Sequence, residues 1–265
     1  MVSVENKAAL NRRAVLGRCI GFASLVFAGK SAVAQQMSGV VHKIDAHVGE
    51  MVVEMASPVD NVAHDSLQFE PIDMLQDLFR PDVVFLMRHG PTDWSKLDVK
   101  DVAPTDCANQ RVLSPQGAED MRTLGVLMTA NGLRFSQIAR SEWCRGHQTV
   151  DELLAGAAKA DADYARSVPV EVDPSLDLLL ALQGAPNVTR LRERISAWDG
   201  VGKAGPLLIV THFTNIEELT QFTVYEGEML VIDPKRDNRI LGYLRLRSAG
   251  PDVGHFNTQN RDIEP

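Results

Sequence analysis

Val83-Val84-Phe85-Leu86-Met87-Arg88-His89-Gly90 is the stretch on which the reading of this chain turns. Five apolar residues run without alternation and stop at an arginine, a histidine and a glycine. A strand with one wet face alternates apolar and polar residues, whereas an unbroken run of this length predicts a strand buried on both faces. Such a strand needs helices above and below it. The sequence supplies one more unbroken apolar run, Leu207–Val210, and Phe135–Ala139 reads as a further short strand.

Helical signals fall between these runs. Ser114-Pro115 reads as an N-cap followed by proline at the first helical position, Met121, Leu124, Leu127 and Met128 form the apolar stripe, and Asn131-Gly132 ends the helix. Ile72, Leu75 and Leu78-Phe79 predict a short amphipathic helix before Pro81. Further helices are expected over 146–154, 176–182, 188–198 and 215–222, and a strand over 168–172. Residues 229–232 and 240–246 read as antiparallel or edge strands. The alternation predicts an α/β three-layer sandwich with a mostly parallel central sheet. Residues 90–113 are polar and turn-rich and read as a long loop.

Open α/β sheets place ligands outside the carboxyl ends of their strands. Arg88-His89-Gly90 follows the first strand, Arg140-Ser141 and then Arg145 follow the second, and Thr211-His212 follows the third. Singly, each residue has an ordinary structural use. Together, two imidazoles and at least two guanidinium groups describe a phosphoryl pocket that needs no metal or other cofactor. Guanidinium forks match phosphate oxygens through charge-assisted bonds, and a neutral imidazole is a nucleophile for phosphorus. Gly90 is expected to let the backbone approach the ligand.

Leu86-Met87-Arg88-His89-Gly90-Pro91-Thr92 resembles the Arg-His-Gly signature of the histidine phosphatase superfamily, the phosphoglycerate mutase-like fold. Leu113-Ser114-Pro115-Gln116-Gly117, Ser141-Glu142-Trp143-Cys144-Arg145 with Thr149, and Ile209-Val210-Thr211-His212 resemble three further blocks in the family's order, so the resemblance covers roughly residues 72–247. Asp106–Arg111, Cys144-Arg145, Thr211–Ile216 and Glu226-Gly227-Glu228 resemble an exported bacterial branch that includes lipopolysaccharide core heptose phosphate phosphatases.

The resemblance implies a phosphomonoester hydrolase in which His89 becomes phosphorylated while Arg88, Arg145 and His212 hold the phosphoryl oxygens. Thr92 is expected to touch phosphate or to hold a turn. The substrate would be a small phosphomonoester, a phosphorylated sugar being one option. A proton donor for the leaving oxygen is not evident: one branch uses an aspartate directly after the second histidine, where this chain has Phe213. Asp93, Asp173, Asp177 and Glu228 are the candidates, and a non-catalytic protein that binds phospho-ligands on the same fold is the alternative. Arg111 is expected to pair with an acid rather than with phosphate. Ser141 and Thr149 are expected to order the backbone around Arg145, Asn215 to fix a helix start, and Trp94 and Trp143 to pack in the core. His42, His47 and His64 lack metal-ligand spacing, and His147 should turn away from Arg145.

The 265 residues carry 27 basic and 35 acidic side chains, a formal charge of −8 that gives no general reason to bind nucleic acid. Residues 1–34 read as a signal peptide. Paired Arg12-Arg13 precede an apolar stretch from Cys19 to Ala28, and Ala32-Val33-Ala34 supplies small residues for cleavage. The arginines resemble a twin-arginine export signal; an ordinary export signal or an uncleaved anchor are the alternatives. Cleavage would leave a chain near −12 in charge, without stable membrane insertion, in the periplasm or outside the cell. Residues 35–68 read as a weakly ordered lead-in, 69–250 as the catalytic domain and 251–265 as a C-terminal tail. Cys107 and Cys144 form a disulfide or stay as buried thiols; the branch resemblance implies the disulfide.

Overall fold

The computed structural model describes residues 40–45, 50–55, 65–179 and 181–256; the expected signal peptide and cleavage site, His47 and His64 lie outside them. The strands are β1 (Val40–Asp45), β2 (Glu50–Met55), β3 (Ser66–Glu70), β4 (Val84–Arg88), β5 (Gln137–Arg140), β6 (Val170–Val172), β7 (Leu207–Thr211), β8 (Met229–Asp233) and β9 (Arg239–Leu246). They form one nine-stranded sheet in the order β1-β2-β3-β9-β8-β4-β7-β5-β6.

The sheet is mixed, which corrects the expectation of a mostly parallel one. Only β4–β7, β7–β5 and β5–β6 are parallel, and every other neighbouring pair is antiparallel. The lead-in contributes β1, β2 and β3, which no period in its sequence announced. Of the antiparallel and edge readings for 229–232, the antiparallel one holds: β8 lies between β9 and β4 and runs antiparallel to both.

The helices are α1 (Pro115–Ala130), α2 (Cys144–Ala160), α3 (Ala162–Ser167), α4 (Thr189–Ser196) and α5 (Phe213–Thr220). Alternation along the central strands sorts the core into two clusters. Phe85, Met87, Leu208, Val210, Met229 and Val231 pack with Leu124 and Leu127 of α1 and Val150 and Leu153 of α2. Val84, Leu86, Leu207, Ile209, Leu230 and Ile232 pack with Leu191 and Ile195 of α4 and Ile216 of α5. β4, β7 and β8 therefore have no wet face, which is why they read as unbroken apolar runs.

Ser114 caps α1, its Oγ accepting from Gly117 N at 2.9 Å, a contact worth about 1 kcal/mol. α1 and α2 meet almost backbone to backbone: a Cβ on Gly125 would stand 2.0 Å from Leu153 O, and one on Gly156 2.0 Å from Arg122 O. Gly90 packs closely too, since a Cβ there would stand 2.6 Å from Cγ of the Met121 side chain of α1. The helix expected over 176–182 is absent; a short 3-10 turn, Pro174–Leu176, precedes irregular chain. Asn215 lies inside α5, where its Nδ2 donates to Asp177 O and its Oδ1 accepts from Leu179 N, so it pins that irregular chain instead of capping the helix. Among the described residues, no helix is long and apolar enough to cross a membrane.

Candidate active site

The carboxyl ends of β4, β5 and β7 lie side by side, with Arg88 opposite Thr211 and Arg140 opposite Val210 in the parallel registers. His89 follows β4 and His212 follows β7, and their ring centroids are 5.5 Å apart. Arg145, in the first turn of α2, reaches the same place. Arg88, His89, Arg145 and His212 are all buried, each no more than 2% exposed.

The tautomer of His89 follows from its contacts. Its Nδ1 lies 3.0 Å from the carbonyl oxygen of Gly90, an acceptor only, so Nδ1 carries the proton and Nε2 the lone pair. Burial, and then the charges of Arg145, His212 and Arg88, hold its pKa well below the ordinary imidazole value. The ring is therefore neutral at neutral pH, with its lone pair on Nε2. The backbone is fixed as well. Gly90 N donates to Thr149 Oγ1 at 2.8 Å, Thr149 Oγ1 donates to Arg145 O at 2.6 Å, and Gly227 N donates to His89 O at 2.9 Å.

His212 is held from behind. Ser141 Oγ donates its one proton to Asp177 Oδ1 at 2.7 Å, so His212 Nε2, 2.9 Å from the same oxygen, must donate to it. Nδ1 is left buried without a partner. Burial and the charges of Arg145, Arg88 and Arg111 depress the pKa of His212, so a proton on Nδ1 needs a compensating anion beside it.

The arginines share one pattern. Arg145 gives Nη1 to Asp98 at 3.1 and 3.2 Å and to Arg111 O at 3.3 Å. Arg88 gives Nη1 to Asp252 Oδ2 at 2.7 Å and to Val224 O at 2.9 Å. In both, Nε is buried and unpartnered, as is Nε of Arg111. Carboxylates and carbonyls take the outer nitrogens and leave the inner edge unspent. A buried polar atom without a partner costs about 1–3 kcal/mol, more when charged. Arg194 and Arg245 also leave Nε unpartnered, but Arg88, Arg111 and Arg145 do so together, close enough for all three charges to act on His212. An anion with several acceptor oxygens fits them.

Arg111 corrects an expectation. Among the described residues it forms no ion pair; its guanidinium lies over the Trp94 ring, 3.4 Å from the centroid. Burial and the neighbouring Arg145 bring its pKa down to about 10. Thr92 also differs. Its hydroxyl donates to Glu226 Oε1 at 2.6 Å and its amide to Oε2, so it holds a carboxylate rather than offering a donor to phosphate.

The four candidate acids stand apart from the histidine pair. Asp93 is taken by Ser95 and Lys96, and Asp173 by Ser175 and Arg194. Asp177 lies behind Ser141, where burial raises it to about 6. Glu228 accepts from Tyr225 N and Arg245 Nη1, both at 3.2 Å, and burial raises it too.

The structure adds residues that the sequence reading passed over: Asp98, Glu226, Asp252 and His255. Glu226 accepts from Thr92 and from Trp94 Nε1 and sits 3.4 Å from Arg88 Nη2. Asp252 and His255 belong to the tail. Asp98 follows no motif; its only signal was its place in the polar loop. Cys107 and Cys144 are joined, tying that loop to the start of α2 beside Arg145. Among the described residues, no group of three or more His, Cys, Asp or Glu side chains could hold a metal ion.

No family model matches the chain, and no curated protein matches it. Solved structures similar to it include the protein histidine phosphatase SixA complexed with tungstate, at 17% identity and a TM-score of 0.45, covering 62% of this chain and 96% of that one. The ecdysone phosphate phosphatase from Bombix mori, also with tungstate, is similar at 13% identity and a TM-score of 0.42, over 64% of this chain and 94% of its own. The alpha-ribazole phosphatase from Shigella flexneri is similar at 18% identity and a TM-score of 0.35, over 57% and 90%.

Proposed function

We propose that the chain is a phosphomonoester hydrolase working through a phosphohistidine on His89 Nε2. One observation carries this reading: a buried neutral imidazole with its lone pair on Nε2 stands beside a second imidazole and among three guanidinium groups whose Nε atoms have no partner. In the first step Nε2 attacks phosphorus and the bond to the ester oxygen breaks. Arg88, Arg111, Arg145 and His212 stabilise the charge on the transferring group, and because they are already oriented this needs no reorganisation. Water then attacks the phosphohistidine and releases phosphate. The donor set is mostly cationic and suits an anion better than a metal.

The helices on both faces of the mixed sheet support reading the domain as a phosphoglycerate mutase-like sandwich of three layers. The Cys107–Cys144 disulfide supports an exported protein, since such bonds persist in oxidising compartments. A small phosphomonoester, among which a phosphorylated sugar is the option carried from the sequence, is the substrate class.

The non-catalytic alternative draws support from one fact, that none of Asp93, Asp173, Asp177 and Glu228 stands at the histidine pair. Turnover of p-nitrophenyl phosphate by residues 35–265, in EDTA, separates the two. An enzyme loses about 10⁴-fold or more of its rate in His89→Ala. Phosphate binding without turnover, indifferent to that change, would establish the binder.

A further inference from the structure

A leaving oxygen of an alkyl or sugar ester needs a proton as its bond to phosphorus breaks. The C-terminal segment brings a group suited to this task. Asp252 is 8% exposed, and its Oδ2 accepts from Arg88 Nη1. Its Oδ1 accepts from Gly254 N at 3.0 Å and His255 N at 2.9 Å and lies 3.0 Å from His255 Nδ1. His255 Nδ1 is also 3.2 Å from Arg88 Nη2. The imidazole stacks on Phe213, centroid to centroid 4.0 Å, with the Trp94 ring at 5.5 Å. The segment fits closely there, since a Cβ on Gly254 would stand 1.9 Å from Trp94 Cη2.

Burial gives the direction. The groups that would hold the phosphoryl moiety are sealed, whereas the side chain of His255 is 27% exposed. The organic part of an ester must extend from the sealed end toward solvent, along the side where His255, Trp94 and Phe213 meet. Asp252 occupies Nη1 of Arg88 and not Nε, so the segment completes the site and leaves the anion position open. Three arrangements of His255 fit its contacts: Nδ1 accepts from Arg88, the doubly protonated ring donates Nδ1–H to Asp252, or the neutral ring donates Nδ1–H to Asp252 with its lone pair on Nε2. The first two carry a proton on Nε2, and the third is the form left when that proton has been given up.

We propose that His255, paired with Asp252, is the catalytic acid that protonates the leaving oxygen; the proposal rests on the phosphomonoesterase reading. As the P–O bond breaks and the bond from His89 Nε2 to phosphorus forms, the Nε2 proton of the doubly protonated His255 passes to the ester oxygen and the alcohol leaves. The ring, now neutral with its remaining proton on Nδ1 toward Asp252, takes a proton from the water that attacks the phosphohistidine. The hydroxyl bonds to phosphorus, the N–P bond breaks, and His255 is restored.

His255→Asn keeps a polar atom near the Nδ1 position and removes the Nε2 proton. The test compares kcat/KM of the 35–265 form and this variant on glycerol 2-phosphate and on 2,4-dinitrophenyl phosphate, whose leaving group departs without a proton. The expected result is a loss of about 10²–10³-fold on the glycerol ester and little change on the dinitrophenyl ester. Across a series of aryl phosphates, log kcat/KM should fall more steeply with leaving-group pKa in the variant than in the parent. Equal losses on both esters, or an unchanged slope, would mark His255 as merely structural; a gain on both would mark the segment as a plug. If the parent hydrolyses neither ester in a His89-dependent way, the phosphomonoesterase reading fails and takes this one with it.

Discussion

Both carboxylate oxygens of Asp98 lie within hydrogen-bonding distance of Nη1 of Arg145, at 3.1 and 3.2 Å, while Nε of the same guanidinium is unpartnered. Asp98 also accepts from Arg111 N at 2.7 Å, so one loop carboxylate sets two of the site's arginines. Asp98→Ala should leave Arg145 in place but free to rotate. Phosphatase kcat/KM is expected to fall about 10–100-fold, with a melting temperature within a few degrees of the parent. Asp98→Asn, which keeps one acceptor, should lose less.

Asp177 makes a separate prediction about pH. Burial raises its carboxyl to about 6 in the folded protein, against about 3.9 in an unfolded chain. The folded state thus keeps a proton that the unfolded state has already released, and stability declines as pH rises from about 4 to about 6, then levels. The hydrogen bonds from Ser141 Oγ and Glu142 N go to Oδ1, which an asparagine oxygen can replace, while the neighbouring Glu142 carboxyl adds to the upward shift. Asp177→Asn should therefore flatten the melting temperature between pH 4 and 6 relative to the parent. A parallel profile in the two proteins would refute the assignment.

Asp252 has the opposite sign. The hydrogen bonds of the 252–255 turn and the charge of Arg88 outweigh burial and hold its carboxyl well below the ordinary range. Its contribution is fully present above about pH 4 and is lost as pH falls through the folded-state value. The difference in melting temperature between the parent and Asp252→Asn should be constant from pH 8 to 5 and shrink below 4.

The disulfide spans a separation of 37 residues, and closing a loop of that length restricts the unfolded chain by about 3–4 kcal/mol. Replacing Cys107 and Cys144 by serine should lower the urea midpoint accordingly. It should also weaken inhibition by vanadate, because the loop that carries Asp98 and Arg111 loses its tie to α2. Unchanged vanadate affinity would confine the bridge to stability.

Much of the scaffold was legible because apolar runs and caps are local signals. Val83–Met87 announced β4, and Ser114-Pro115 announced the start of α1. The order of the strands was not legible. β8 reads like any short apolar run, and its antiparallel pairing with both β4 and β9 joins the parallel strands to the antiparallel part of the sheet. The strands of the lead-in lacked period, and the 177–179 chain looked helical because Leu176 and Leu178–Leu180 are apolar, although Asn215 holds it in another shape. The partners of Thr92 and Arg111 were not legible for one reason: a hydroxyl or a guanidinium takes the partner that tertiary packing brings to it, here Glu226 and Trp94.

Arg88-His89, Arg145 and His212 could be recognised in the linear chain because each follows or closely trails a short apolar strand, and parallel strand ends converge by geometry alone. What chain order leaves open is everything set by contacts across long loops. The anchoring of arginine outer nitrogens by Asp98 and Asp252, the Ser141–Asp177 support behind His212, and the arrival of His255 beside Phe213 join residues far apart in number. Burial gives those contacts their strength, since a charge removed from water must find its partner nearby, and burial is a property of the folded chain.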